Sequence, residues 1–252
     1  MPVYRLLECD EVWKKERAPA GGKVCSKPIA ATEELDRSEK RDLCDEAGNK
    51  ARYVARADAF GSLAVVRCPS SCRSMRVQIW YDDPSCSWSS EPFEPDLSGH
   101  ALAGLIRYCC TATCRYHLEV KCHGGVWGAG PTTDPAAVPV PATGEVSCSQ
   151  HVIANSTESA KASASDKAAA ETAAEGLASD VAYQRAVEKL DSIRCPPTCM
   201  FIKAQIDLGK STLSAPTTSA ARQGTTTYEA SATCTWSLWA ECTDQVGRIS
   251  HN

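Results

Sequence analysis

Long apolar runs are missing from this 252-residue sequence. None approaches the roughly 20 residues that a membrane-spanning helix requires, so no membrane span is expected. Aromatic residues are sparse, at 6%, but apolar content is 43%, enough to bury a core. No long run of one charge sign appears, and the net charge is −4. Both facts argue against nucleic acid as a partner, because such binding rests on clustered Lys and Arg. Histidine is scarce: His100, His117, His123, His151 and His251 are the whole set. Gly-x-Ser-x-Gly, phosphate-loop and dinucleotide fingerprints are absent. Cys68 and Cys72, like Cys195 and Cys199, have three residues between them, not the two of a thioredoxin-type redox site. No enzyme and no cofactor are expected.

Cysteine, by contrast, is abundant. Fifteen make up about 6% of the chain, high for a reducing compartment. That content favours an extracellular or cell-surface protein. The first residues nevertheless carry Glu8, Asp10 and Glu11 where a signal peptide would be apolar, so no signal peptide is expected there. The odd count leaves at least one cysteine outside intramolecular pairs.

Internal similarity comes next. Val66-Arg67-Cys68-Pro69-Ser70-Ser71-Cys72 matches Ile193-Arg194-Cys195-Pro196-Pro197-Thr198-Cys199. Tyr108 to Cys122 matches Tyr228 to Cys242, with Ala-Thr-Cys, Leu and Cys at equal spacing. Val24-Cys25-Ser26 is set against Val146-Ser147-Cys148-Ser149. Three matches in one order predict a duplication. The expected division is an N-terminal extension over 1–20, a first repeat over 21–123, a proline- and glycine-rich linker over 124–143, a second repeat over 144–243, and a tail over 244–252.

Each repeat reads as a long helix followed by strands. Ala59, Phe60, Leu63 and Val66 recur at helical spacing before Cys68-Pro69, as do Ala186, Val187, Leu190 and Ile193 before Cys195-Pro196. The Ala-rich run from Lys161 to Ala174 has high helix propensity. Thr32, and Asn155 or Ser156, suit the N-caps. Met75, Val77 and Ile79 then alternate with polar residues, as do Cys114, Tyr116, Leu118, Val120 and Cys122. The predicted fold class is α+β: a tandem duplication of a unit with one long helix followed by an antiparallel β-hairpin, cross-braced by cysteines.

In an antiparallel pair the start of one strand meets the end of the other. Cys68, Cys72 and Cys122 should gather at one end of the first unit, and Cys195, Cys199 and Cys242 at one end of the second. Cys25 with Cys114, and Cys148 with Cys234, would meet at the opposite ends. Cys114 and Cys122 lie about 26 Å apart along a strand and cannot share one site. These ten cysteines are disulfide candidates, each bridge typically worth about 2–4 kcal/mol. Two other readings stand beside this one: zinc held by clustered thiolates with His123, and reduced cysteines buried as small apolar residues.

Arg73, Arg76, Arg115 and Lys121 give the first repeat a basic strand face. Trp239 breaks the polar alternation of its strand and is expected to be exposed, as a contact residue. Asn155-Ser156-Thr157 is a glycosylation sequon. The leading expectation is a non-enzymatic structural or assembly protein, stabilised by disulfides, that associates with itself or another protein. The alternatives are a protein- or polyanion-binding module using the basic face, and a zinc protein.

Overall fold

A computed structural model of the chain describes residues 4–19, 21–69, 72, 74–93, 105–124, 136–196, 199, 201–215, 217–220 and 226–243. In chain order its elements are β1 (Arg5–Leu6), β2 (Val12–Arg17), β3 (Gly22–Cys25), β4 (Ile29–Ala30) and helix α1 (Arg37–Ala64). There follow β5 (Val66–Arg67), β6 (Ser74–Tyr81), β7 (Ser85–Pro92), β8 (Leu105–Thr113), β9 (Tyr116–His123), β10 (Val138–Pro139) and β11 (His151–Ala164). Helix α2 (Lys167–Ser192) precedes β12 (Phe201–Leu208), β13 (Thr212–Leu213), β14 (Thr217–Ala220) and β15 (Thr226–Thr243).

The chain packs as two compact units. Unit 1 holds the described residues of Met1–Lys14, Ser62–Trp80 and Leu118–Asn252; unit 2 holds those of Lys15–Gly61 and Tyr81–His117. The largest sheet runs β10-β11-β15-β12-β6-β9-β2, with β13 and β14 also on β15. In unit 1, α2 lies against β15 and β11. Its contact face is a stripe of alanines, Ala170, Ala174, Ala178, Ala182 and Ala186, all fully buried. Four-residue spacing places them on one side, and their small size lets the helix approach the sheet closely. Ile202, Ile206, Leu238, Leu190 and Ile193 fill the core around them, each worth about 1.5–3 kcal/mol by burial.

Unit 2 contains a second sheet, β3-β8-β4 with β7 also on β8. Gly22 starts β3 against α1, where an added Cβ would stand 2.8 Å from the Ala47 carbonyl oxygen, so no larger residue fits without a shift. Helix α1 opens on a capping box: Glu39 N–H donates to Asp36 Oδ1 at 2.8 Å, and Asp36 N–H donates to Glu39 Oε2 at 3.0 Å.

The expected α+β tandem of helix-plus-hairpin units is not what forms. Among the described residues strand outweighs helix, 47% to 27%. Strand β12 pairs antiparallel with β15, and also with β6 from Phe201↔Trp80 to Asp207↔Ser74. The strands that follow the two helices therefore share one sheet. Two isolated hairpins would each leave both edges unpaired, and merging them removes that cost. The second difference is β11. The stretch expected to open the second helix is a strand, paired with β15 from His151↔Glu241 to Ala164↔Tyr228. Helix α2 begins only after Asp166, whose side chain accepts the Ala169 N–H.

Candidate functional site

Six disulfides brace the chain, and all fifteen cysteines are accounted for: twelve bonded and Cys110, Cys114 and Cys234 free and buried. Four of the bridges lie in unit 1 and form two corners of the same construction. At one, Cys68 bonds Cys122 and Cys9 bonds Cys72; at the other, Cys195 bonds Cys242 and Cys148 bonds Cys199. The backbone repeats too. Asp10 and Ser149 have positive φ, 68° and 60°. The Asp10 N–H donates to the Cys122 carbonyl at 2.9 Å and the Ser149 N–H to the Cys242 carbonyl at 2.6 Å. Each turn is closed by a side chain: Glu11 Oε2 accepts the Glu8 N–H, and Gln150 Oε1 accepts the Ser147 N–H.

The ends of the cysteine scheme differ from expectation. Cys25 is bonded to Cys109, not Cys114, and Cys148 is bonded to Cys199, not Cys234. Cys114 and Cys234 are instead thiols that donate to backbone carbonyls, Cys114 to Asp82 at 3.4 Å and Cys234 to Gly209 at 3.5 Å. Burial, with Asp82 and Asp83 nearby, pushes the Cys114 thiol up to about 11. Cys9 was missed as a corner cysteine. Its signal is the spacing Cys9-Asp10-Glu11 against Cys148-Ser149-Gln150, a carboxyl or amide two residues after the cysteine.

The thiolates of a zinc site are not free at the first corner. Cys68, Cys72 and Cys122 are all in disulfides, and His123 Nδ1 meets Asp10 Oδ1 at 2.6 Å. Among the described residues, Cys44, Cys86 and Cys110 bring three sulfurs within 4.8 Å of one another, but Cys44 and Cys86 are bonded.

Two residues of the basic face, Arg115 and Arg76, have acids beside them. In unit 2, Arg115 Nη1 donates to Glu16 and Arg115 Nε lies 3.9 Å from Asp82. Arg76 in unit 1 is half-buried, and burial lowers its pKa while Asp207 opposes that shift. Lys121 is half-buried on β9. Arg73 lies outside the described residues. Trp239 is half-buried rather than exposed, its ring 5.2 Å from that of His151. Its indole N–H has no hydrogen-bond partner among the described residues.

Among the described residues one strand edge is left mostly unpaired. Strand β10 covers β11 only at Val152 and Ile153. From Ala154 to Ala164 that edge has no partner strand among the described residues. Its two charges are satisfied within the chain: Lys161 pairs with Glu229 at 3.0 Å, and Glu158 accepts the Trp236 indole N–H at 3.2 Å. The sequon residue Asn155 is exposed on this strand. No protein-family model, curated protein or solved structure matches the chain.

Proposed function

We propose that this disulfide-stabilised chain is a non-enzymatic structural protein of an extracellular or cell-surface compartment, and that it associates with further copies of itself. Twelve cysteines in six bridges suit an oxidising compartment. The observation that carries the assembly reading is the edge of β11 from Ala154 to Ala164, which no strand covers among the described residues. A long strand edge is a template for another strand, and proteins that stay monomeric blunt it with free charges, proline or bulges. Here the residues from Ala154 to Ala164 are mostly Ala, Ser and Thr, with no proline. Their two charges are already engaged with β15. An edge present on every copy can pair antiparallel with its own equivalent about a two-fold axis, so no second protein is needed. A polyanion-binding role through the basic face fits less well, because Arg115 is already engaged by Glu16 and Asp82.

Light scattering on the purified oxidised chain tests this. The mass should rise with concentration, and Ser159→Lys with Ser163→Lys, which place free charges on the edge, should return it to the monomer. A constant monomer mass at every concentration would overturn the reading.

A further inference from the structure

Unit 1 contains a cavity of about 480 Å³, walled by α2, the end of β12 with the turn after it, and Arg67, Cys68, Pro69, Cys72, Ser74 and Met75. That volume is ordinary for a small-molecule site. Three features set it apart from a packing defect.

The first is Arg67 in its wall. The residue is 8% exposed. Its Nη1 donates to the carbonyls of Ala64 and Val66 at 2.6 and 2.8 Å. Its guanidinium lies between the rings of Tyr4 and Tyr183, 4.3 and 4.4 Å from their centroids. Backbone carbonyls and ring faces attract the cation but do not neutralise it. Its Nε has no hydrogen-bond partner, and no carboxylate pairs with it among the described residues. A desolvated cation in that state is costly unless an anion meets it.

The second feature is the lining beyond Arg67. Met75, Ile206 and Leu208 supply an apolar stretch. Its other charged residues are Glu175, which is half-buried, and Asp180 and Lys210, which are exposed. The third is Gly176. It interrupts an Ala-rich helix at the cavity wall, and a Cβ there would meet nothing within 4 Å. Glycine weakens a helix interior. Gly176 is itself exposed, so a larger side chain can be added to the lining there without displacing a neighbour.

We propose that this cavity binds a small organic carboxylate, its carboxyl group on Arg67 and an aliphatic body against Met75, Ile206 and Leu208. The planar guanidinium matches a carboxylate in geometry as well as charge. Two residues of the wall are held by disulfides, Cys68 to Cys122 and Cys72 to Cys9. The site is independent of the β11 edge, so either assignment can fail without the other.

Isothermal titration calorimetry of the full oxidised chain with hexanoate, hexanol and inorganic phosphate tests it. Hexanoate should bind, hexanol at least about tenfold more weakly for want of the charge-assisted hydrogen bonds, and phosphate more weakly than hexanoate for want of the apolar body. Arg67→Met should lower hexanoate affinity by about tenfold or more. Because Arg67 is buried and that variant risks misfolding, Gly176→Leu is the second probe: it fills the cavity from an unobstructed position and should abolish binding while leaving the unfolding temperature unchanged or higher. Absence of hexanoate binding at millimolar concentration, equal affinity for hexanol, tighter binding of phosphate, or full hexanoate binding by folded Gly176→Leu would each overturn the proposal.

Discussion

The sulfur of Cys110 lies 3.3 Å from the sulfur of Cys44, which is itself bonded to Cys86. Cys110 is fully buried and Cys86 is exposed. Attack by a Cys110 thiolate on the Cys44 sulfur forms Cys44–Cys110 and expels Cys86 as a thiolate, with no net oxidation. Burial holds the Cys110 thiol above its ordinary range, so the thiolate is scarce at neutral pH and the exchange is slow there. Incubation at a pH of about 9, followed by alkylation and peptide mapping without reductant, should yield a Cys44–Cys110 peptide and labelled Cys86. At a pH of about 6 only Cys44–Cys86 should be found. Cys110→Ala should lack the exchanged species, and its continued appearance there would refute direct attack.

The buried Cys114 thiol predicts a loss of stability in alkali. Its pKa in the folded chain is about 11, above the ordinary thiol value, because burial disfavours the thiolate. Between the unfolded value of about 8.5 and the folded one, the unfolded chain binds fewer protons, so stability falls as pH rises through that window. The loss should approach about 3 kcal/mol at the top of it. Below the unfolded value there should be no contribution. Urea unfolding from neutral pH to a pH of about 10.5 should show a shallower alkaline decline in Cys114→Ala than in the parent. Parallel slopes would mean that this thiol is not held neutral by the fold.

Periodicity located the helix cores but not their starts, and it misplaced the sheet. The apolar spacing of Ala186, Val187, Leu190 and Ile193 lies on the buried face of α2 and its exit. The start of α2 was lost because Ala and Lys between Lys161 and Ala164 have high helix propensity, which pairing along β15 overrides. A period-two signal was there: Ser159, Lys161 and Ser163 are exposed while Ala160, Ala162 and Ala164 are half-buried. At α1 the Asp36 and Glu39 pair spells a capping box, a better start than Thr32. The alternation of β6 and β12 was legible, but their pairing with each other was not, since strand order is set by which edges meet. Burial of Arg67 left no local mark either: the matched Arg194 is exposed in the same sequence context.

The alanine stripe of α2 should tolerate no enlargement. Ala178 is fully buried at the middle of the stripe. Leucine there forces the helix away from β11 and β15 or strains rotamers, at a cost of about 1–3 kcal/mol. Exposed Leu177, one residue earlier, supplies the control: Leu177→Ala should change stability by less than about 0.5 kcal/mol. Urea unfolding of both variants measures the contrast. Equal, small effects would show that α2 does not lie against the sheet on this face.

The two braced corners predict a stability loss that geometry alone should rank. Cys195 and Cys242 are separated by 47 residues in sequence. A bridge closing a loop of that length restrains the unfolded chain by about 4 kcal/mol in the chain-entropy description. Cys195→Ala with Cys242→Ala should therefore lower the unfolding free energy by about 2–4 kcal/mol. The backbone of the corner adds a second, opposite effect. Ser149 holds a φ of 60°, a conformation that favours glycine, so Ser149→Gly should relieve strain and be neutral or stabilising despite the added freedom of the unfolded chain. Asp10, at 68°, should respond in the same direction to Asp10→Gly, less the contribution of its contact with His123. Denaturant unfolding under non-reducing conditions checks all three. A double cysteine variant as stable as the parent would mean that this bridge is dispensable to the fold.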